Sequence, residues 1–399
     1  MRFLHTADWQ LGMTRHFLDA DAQARFTAAR TDVIARIGQL AEAEGCEFVL
    51  VCGDVFESNA LPRRVVARAC EAMRAISVPV YLLPGNHDPL DAASIYDSVA
   101  FTDAAPEHVH VLRSTEPVAV GEGVQILPAP WTSKRPTADA LAPALAHLGE
   151  AADGGSTAGE VDRTRAGAQP GGAGVVRIVA GHGAVDTLSP DAHDPALIRT
   201  AGLLELLRTG QISYVALGDR HSTTEVAPGI AYSGAPEVTD FIETDPGNVL
   251  VVDVSDADVS TTSHRLGTWS FCDLQFDVNS GEEVTAMDRA LAELTDKSRT
   301  VVRLALRGTL TLTEHAEMEA VLERHQQTFA SVRVWQRHTD VAVHVTDEDL
   351  LQLGVGGFVE EAVAELAASA TTTAGGDEDR EVARDSLALL YRLAGGGKR

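Results

Sequence analysis

The chain has 399 residues, of which 45% are hydrophobic and 23% are charged, a composition typical of an ordinary soluble globular protein of two to three domains. Its 58 acidic residues outnumber its 32 basic ones, which gives a net charge of −26. A protein that binds nucleic acid unaided usually has a basic surface, so a polyanionic substrate would require metal ions, a few local cations or a partner subunit to supply positive charge.

Membrane insertion and secretion are not expected. No stretch approaches the roughly 18 apolar residues of a membrane-spanning helix, and the N-terminus lacks the pattern of a secretory signal. The four cysteines contain no CxxC pair, and three of them lie in apolar segments. We therefore predict a cytoplasmic protein with reduced cysteines.

Residues 1 to about 255 alternate short apolar runs with helical stretches, which predicts an α/β architecture. The predicted strands are Arg2–Thr6, Phe48–Cys52, Val80–Leu83, Val124–Leu127, Val175–Ala180, Tyr214–Leu217 and Val249–Val254. The predicted helices are Asp21–Glu44, Arg63–Ile76, Asp139–Leu148 and Ala201–Leu207. Residues 149–174 are rich in Gly, Ala and Ser, and this composition predicts a disordered surface loop.

A second pattern begins near residue 270 and predicts a small α+β domain followed by a helical tail. The predicted strands are 271–278, Thr300–Leu306, Ser331–Trp335 and Val341–Val345, and the predicted helices are Gly281–Lys297, His315–Thr328, Phe358–Ala370 and Glu381–Ala394. The last helix has an apolar side that requires a covering surface. Two hypotheses remain open: it packs on its own domain, or it docks a partner.

Polar residues follow five of the predicted strands at their carboxyl ends, where α/β sheets place ligands and reactions. The sequences that carry them are HTADWQLG (Asp8, Gln10), VLVCGDVF (Asp54), LLPGNHDPL (Asn86, His87, Asp88), VAGHGAVD (His182) and ALGDRHST (Asp219, His221). Each residue alone has a simpler explanation as a turn residue or a hydrogen-bonded core histidine. Together they favour a cation site, because burying several carboxylates and imidazoles at one edge without cations would be costly.

These five motifs, in this order, resemble the calcineurin-like metallophosphoesterases. HTADWQLG, GDVFES and LLPGNHD are similar, more narrowly, to SbcD-type DNA exonuclease subunits. The resemblance covers residues 1–255 and implies a layered β-sheet core with flanking helices in an α/β fold. It places the catalytic domain at 1–265, a small α+β cap domain at 270–348 and the C-terminal helical tail at 355–399.

The resemblance also implies a site for two divalent metal ions that share the carboxylate of Asp54. The remaining ligands would be Asp8, Gln10 and His221 for one ion, and Asn86, His182 and Asp219 for the other. His87 would stabilise the developing charge or protonate the leaving oxygen. Asp88 would fix the orientation of the His87 ring.

Two positions depart from the family pattern, which has histidine where this chain has Gln10 and Asp219. Each change replaces a nitrogen ligand with an oxygen ligand. Hard oxygen donors favour manganese or magnesium over zinc, so we predict an active site that prefers Mn²⁺, with Mg²⁺ as the other candidate. The alternative is a weakened site in a scaffold subunit.

Candidate DNA contacts are Arg220, beside two predicted ligands, and APWTSKRP, which contains Trp131, Lys134 and Arg135. An aromatic residue beside two cations suits base stacking together with a backbone contact, although Trp131 is equally explained as a loop anchor. The resemblance implies an SbcC-type coiled-coil ATPase partner and a homodimer. The rival hypotheses are a phosphatase or nucleotide phosphodiesterase on the same site, and a non-catalytic subunit.

Overall fold

The computed structural model describes residues 1–134, 136–153, 175–191, 193–255, 259–344 and 358–371, together with 379–380, 382–383, 385–387 and 389–390. It divides into one unit made of residues 1–15 and 23–269, and a second made of residues 16–22 and 270–399. Arg135 and residues 154–174 lie outside the described residues, as do the gaps at the C-terminus.

The first unit is built on two six-stranded sheets. The strands of the first sheet, in spatial order, are β12 (Val259–Arg265), β11 (Asn248–Val254), β1 (Arg2–Thr6), β2 (Val49–Cys52), β3 (Val80–Leu83) and β4 (Val109–Val111). Those of the second sheet are β5 (Val118–Gly121), β6 (Val124–Pro128), β7 (Val176–His182), β8 (Tyr214–Gly218), β10 (Ile230–Tyr232) and β9 (Thr224–Ala227). The central strands of each sheet are parallel, so their carboxyl ends lie at one edge.

Alternation along these strands divides their side chains between two cores, as expected where successive residues point to opposite faces. Leu50 and Cys52 belong to a cluster that contains residues of both sheets, whereas Val49 and Val51 pack with helix residues on the other face. The helices of this unit are α1 (Ala20–Ala43), α2 (Arg63–Met73), α3 (Val99–Thr102), α4 (Ala142–Asp153) and α5 (Thr200–Arg208). The layered α/β core predicted from sequence is therefore confirmed.

Helix α4 corrects one predicted boundary. It runs to Asp153, so residues 149–153 are helical rather than part of the predicted loop. The rest of that loop lies outside the described residues.

The described residues of the second unit form a four-stranded parallel sheet. Its strands are β13 (Ser270–Asp277), β14 (Thr300–Thr311), β15 (Ser331–Val334) and β16 (Asp340–His344), and its helices are α6 (Gly281–Glu293), α7 (Leu312–Gln326) and α8 (Phe358–Thr371). Strand β14 pairs with the other three strands. Thr311 and Glu314 form a reciprocal capping box that starts α7 directly after β14.

The tail residues pack on their own unit. Leu387 and Ala383 are buried in a cluster with Leu312 and with Val363 of α8. None of the helices in the described ranges is long and apolar enough to span a membrane.

Candidate metal centre

The predicted ligands meet at the carboxyl edge of the two sheets of the first unit. Asp8 follows β1 and Asp54 follows β2, while His182 ends β7. A carboxylate oxygen of each aspartate and a ring nitrogen of His182 all lie within 4.8 Å of one another, and the three residues are buried. Sequence spacing alone placed these side chains at one edge, and the structure brings them together.

The backbone is unusual at four of these positions. Asp8, Gln10, Asp54 and Asp219 all have positive φ angles, of 54°, 43°, 51° and 96°. Such angles are uncommon outside glycine and cluster where the surrounding structure enforces them, often at functional sites. Here the main chain is held by hydrogen bonds from Asp8 N to Gly53 O (3.0 Å) and from Gln10 N to Asp54 O (2.9 Å).

Close packing of the loops depends on two glycines. A Cβ on Gly85 would lie 2.2 Å from Oδ1 of Asp54, and one on Gly53 would lie 2.0 Å from Nδ1 of His182. No side chain fits at either position without moving these groups. The glycines of GD and GNHD therefore make room for Asp54 and His182.

His182 has hydrogen-bond acceptors at both ring nitrogens. Nδ1 lies 2.9 Å from the carbonyl oxygen of Cys52, and Nε2 lies 2.7 Å from Oδ1 of Asn86 and 3.5 Å from Oδ2 of Asp54. Burial opposes a charge on this imidazole, but the carboxylates of Asp54 and Asp8 outweigh it and raise its pKa well above the usual range. The surroundings of Nε2 thus favour a positive charge.

The carboxylates respond to burial and to these imidazoles. Burial raises the pKa of Asp8 to about 7, because His221 and His182 offset only part of the desolvation. Asp54 is also desolvated, but His182 and His87 lower its pKa below the usual value. Asp54 Oδ1 accepts the main-chain N–H of His87 at 2.9 Å.

Gln10 and His221 lie beside each other and close to Asp8. Nε2 of His221 is 3.1 Å from Nε2 of Gln10 and 3.9 Å from Oδ1 of Asp8. Oε1 of Gln10 is buried and has no hydrogen-bond partner among the described residues. An orphaned carbonyl oxygen, buried carboxylates and imidazole nitrogens form a donor set that fits divalent cations, and its oxygen-rich composition suits Mn²⁺ or Mg²⁺.

One predicted contact is wrong. Asp88 does not orient His87; its carboxylate accepts hydrogen bonds from Gly85 N (2.7 Å), Phe56 N (3.0 Å) and Tyr96 Oη (2.6 Å). Burial raises the pKa of Asp88 to about 6. The acceptor for Nδ1 of His87 is instead the carbonyl oxygen of Glu57, at 2.9 Å.

A cavity of about 550 Å³ opens beside the centre. His87, Arg220 and Arg15 line it, and Arg15 donates a hydrogen bond to the carbonyl of Thr239. Ile242, which is 83% exposed, contributes an apolar side chain to the same wall. Arg15 and Ile242 were missed by the sequence analysis, because neither belongs to a recognisable motif.

Of the predicted DNA contacts, Arg220 lines this cavity, whereas Trp131 and Lys134 are not among its lining residues. Trp131 is anchored, since its indole N–H donates to the carbonyl oxygen of His182 at 2.7 Å. Lys134 is exposed, and Arg135 lies outside the described residues. Arg220 is exposed, with Nε bonded to Oγ1 of Thr224 at 2.9 Å.

The sequence analysis also missed Thr239 and Glu243, which contact Nδ1 of His221. Oγ1 of Thr239 and Oε1 of Glu243 lie 2.7 Å and 3.0 Å from Nδ1 of the ring. They come from the loop after β10, which carries no motif. No signal in the sequence singles them out.

Comparison with known proteins gives a family for this arrangement. Residues 1–222 match the profile described as calcineurin-like phosphoesterase. The chain is similar to the SbcD subunit of the nuclease SbcCD from Bacillus subtilis, with 27% identity over 134 residues that cover 30% of this chain and 33% of that protein. It is 35% identical to the SbcD subunit from Rhodobacter capsulatus over 94 residues, which cover 22% of each protein. The aligned regions thus span a third or less of these relatives.

Solved structures show more distant similarity. The protein TT1561 of Thermus thermophilus aligns with 65% of this chain and 97% of its own, with 11% identity and a TM-score of 0.39. A dimetal phosphatase from Danio rerio aligns with 66% of this chain and 96% of its own, with 12% identity and a TM-score of 0.39.

Proposed function

The chain belongs to the calcineurin-like phosphoesterase family, and we propose that it is a two-metal phosphodiesterase that cuts DNA as the nuclease subunit of a repair complex. The observation that carries the proposal is the convergence of Asp8, Asp54 and His182 within 4.8 Å at a buried edge beside an open cavity. Buried carboxylates in such proximity are costly unless cations compensate them.

The proposed ligands fall into two sets around Asp54, which is common to both. Asp8, Gln10 and His221 would hold one ion, and Asn86, His182 and Asp219 would hold the other. Oε1 of Gln10 supports the first set, because this buried atom has no partner in the described residues and a cation would satisfy it. Oxygen donors predominate, so we propose manganese, with magnesium as the second choice.

When bound, two divalent ions supply the charge that stabilises the phosphate oxygens and makes a water molecule acidic enough to attack phosphorus. The protein contributes His87, whose Nδ1–H donates to the carbonyl of Glu57 and whose Nε2 is thereby left to exchange a proton with the substrate. The ring is 38% exposed at the cavity. We propose that His87 protonates the leaving oxygen at Nε2.

DNA is proposed as the substrate because the curated relatives are subunits of a nuclease. Arg220 and Arg15 at the cavity would contact phosphates, and Trp131, Lys134 and Arg135 would extend the contact surface. The chain as a whole is strongly acidic. An SbcC-type ATPase partner that grips DNA would supply the missing positive charge.

The remaining assignments follow from the sequence pattern and the family resemblance. Residues 1–265 are proposed as the catalytic domain, 270–348 as a cap domain and 355–399 as a tail that contributes to partner docking. Homodimerisation and a cytoplasmic location are proposed with them.

The test is cleavage of end-labelled linear DNA and of bis(p-nitrophenyl) phosphate by the purified chain, with Mn²⁺, Mg²⁺, Zn²⁺ or EDTA. His87→Ala and Asp54→Ala are compared with His110→Ala, which removes an exposed histidine of β4 outside the cavity. We expect Mn²⁺-dependent cutting of both substrates that His110→Ala retains and the other two variants lose.

Other results would redirect the assignment. Cutting of the small diester alone, with or without added ATPase subunit, would reject DNA as the substrate. Absence of any cleavage together with absence of Mn²⁺ binding would favour a scaffold subunit with a disabled site.

A further inference from the structure

Glu243 stands directly behind one of the proposed ligands. Its Oε1 lies 3.0 Å from Nδ1 of His221, on the opposite side of the ring from Nε2, which faces Gln10 and Asp8. Oγ1 of Thr239 is also near Nδ1, at 2.7 Å. Because Nδ1–H donates to this pair, the lone pair of the neutral ring is left at Nε2.

The carboxylate of Glu243 is itself held in place. It accepts the main-chain N–H groups of Thr239 at 2.9 Å and Asp240 at 3.1 Å, and the hydroxyl of Thr239 donates to the same group. Its side chain is only 4% exposed. A nearly buried carboxylate surrounded by donors is held in one orientation, because each hydrogen bond fixes the position of one of its oxygens.

The two ligand histidines differ in what they face at Nδ1. His182 donates to the carbonyl of Cys52, a neutral acceptor, whereas His221 faces a carboxylate. A carboxylate behind a ligand histidine fixes the ring and increases the basicity of its free nitrogen. The carboxylate stands on the side of the centre where Gln10 is a weak neutral donor.

We propose that Glu243 is a positioning residue that compensates for Gln10 by orienting His221 and strengthening its hold on the cation shared with Asp8. Thr239 assists by fixing Glu243. This inference rests on the proposed function, because it takes His221 as a metal ligand. Only one of the two ions is involved, and the residues that act on its ligand, Thr239 and Glu243, belong to the loop after β10, which has no motif.

The test measures Mn²⁺ binding to the metal-free full chain by two methods. These are isothermal titration calorimetry and the electron paramagnetic resonance signal of the Mn²⁺ that remains free. Glu243→Gln preserves the shape but removes the charge, and Glu243→Ala removes both. Glu205→Gln is the matched control, because Glu205 is exposed and paired with Arg208 on α5. Thermal unfolding of each metal-free variant shows whether the fold is retained.

We expect two Mn²⁺ ions per wild-type chain. In Glu243→Ala one of them should bind about 10- to 100-fold more weakly while the other keeps its affinity. Glu243→Gln should show a smaller loss at the same ion, and Glu205→Gln none. Unchanged binding in both Glu243 variants, or an equal loss at both ions, overturns the inference while leaving a phosphodiesterase that binds two ions intact. A wild-type chain that binds no Mn²⁺ overturns the proposed function as well.

Discussion

His87 and Glu57 are joined by a hydrogen bond of 2.9 Å between Nδ1 of the imidazole and the main-chain carbonyl oxygen. A carbonyl can only accept, so Nδ1 carries the proton and Nε2 is the nitrogen that faces the centre, 3.9 Å from Oδ2 of Asp54. The orientation of His87 is therefore fixed by backbone. The neighbouring carboxylate of Asp88 accepts a hydrogen bond from Gly85 N, in the loop that carries the ring.

Because His87 faces the centre and Asp88 holds the surrounding main chain, substitutions of these two adjacent residues should affect different quantities, turnover for His87 and stability for Asp88. Asp88→Ala leaves the buried donors on Gly85, Phe56 and Tyr96 without an acceptor, which we expect to lower the free energy of unfolding by about 3 kcal/mol or more. His87→Ala removes a partly exposed ring, so its stability should remain within about 1 kcal/mol of wild type. Its turnover should fall by about 10²- to 10⁴-fold, as for the loss of a general acid.

Urea unfolding and steady-state cleavage of a small phosphodiester measure the two effects. Asp88→Asn is the informative second variant, since its amide oxygen can accept only part of what the carboxylate accepts and should give an intermediate loss of stability. Equal destabilisation by His87→Ala and Asp88→Ala would contradict the assignment of a structural role to Asp88 and a catalytic role to His87.

Much of the fold was predictable because the central strands are nearly continuous apolar runs. β1 and β3 have the predicted bounds, β11 begins one residue before its prediction, at Asn248, and β2 is shorter by one residue. Strands with weaker patterns were missed. β12 has the sequence VSTTSHR and is mostly exposed, so it pairs with β11 through its backbone without an apolar face that the sequence could reveal.

The residues of the site also fall into those that the sequence predicts and those that it does not. Asp8, Asp54 and His182 were found because a polar residue directly after a buried strand is a local signal. Thr239 and Glu243 reach His221 from a loop that is close only in the folded chain. The role of Asp88 was taken from the family resemblance and is wrong, because the chain turns so that Asp88 faces Gly85 and His87 faces Glu57.

Gln10→His tests whether the oxygen ligand sets the metal preference. The residue has a φ of 43°, a region in which histidine is more common than most residues, so the backbone should tolerate the change. An imidazole nitrogen in place of an amide oxygen suits zinc better than manganese. We expect the affinity for Zn²⁺ to rise about tenfold or more relative to Mn²⁺, measured by competition with a chromophoric chelator. A Zn²⁺ to Mn²⁺ ratio equal to that of wild type would show that position 10 does not contact the ion.

Ile242→Ser tests the apolar wall of the cavity. Ile242 is 83% exposed, so its side chain adds little to the free energy of folding. A bound base or sugar that covers it would gain up to about 2 kcal/mol of binding free energy from this contact. We expect KM for DNA to rise about 5- to 30-fold, with stability and cleavage of a small diester unchanged. Val99→Ser, at another exposed apolar position (61% exposed, on α3), is the control and should alter none of the three. A parallel rise in KM for the small diester would place Ile242 in the reaction centre instead.

His5 makes the stability of the fold depend on pH. It is fully buried between Tyr214 Oη and the carbonyl oxygen of Leu217, each 3.2 Å from a ring nitrogen. Burial lowers its pKa to about 3, an effect that the bond to Leu217 only partly opposes. In the unfolded chain the pKa returns to about 6.5, so only the unfolded state takes up a proton between these values. The stabilisation is therefore complete above pH 6.5 and is lost as the pH falls towards 3, by about 1.4 kcal/mol per pH unit.

His5→Gln removes this titration while retaining a side chain that can donate and accept hydrogen bonds. Carboxylates also contribute to acid unfolding, so the quantity to compare is the change in unfolding free energy between pH 7 and pH 5, not its value at either pH. We expect wild type to lose about 2 kcal/mol more than His5→Gln over this interval, measured by urea unfolding at fixed ionic strength. His110→Gln, at an exposed position of β4, should follow wild type. If His5→Gln loses as much stability as wild type over the same interval, His5 is not the group that binds the proton on unfolding, and the burial argument for it fails.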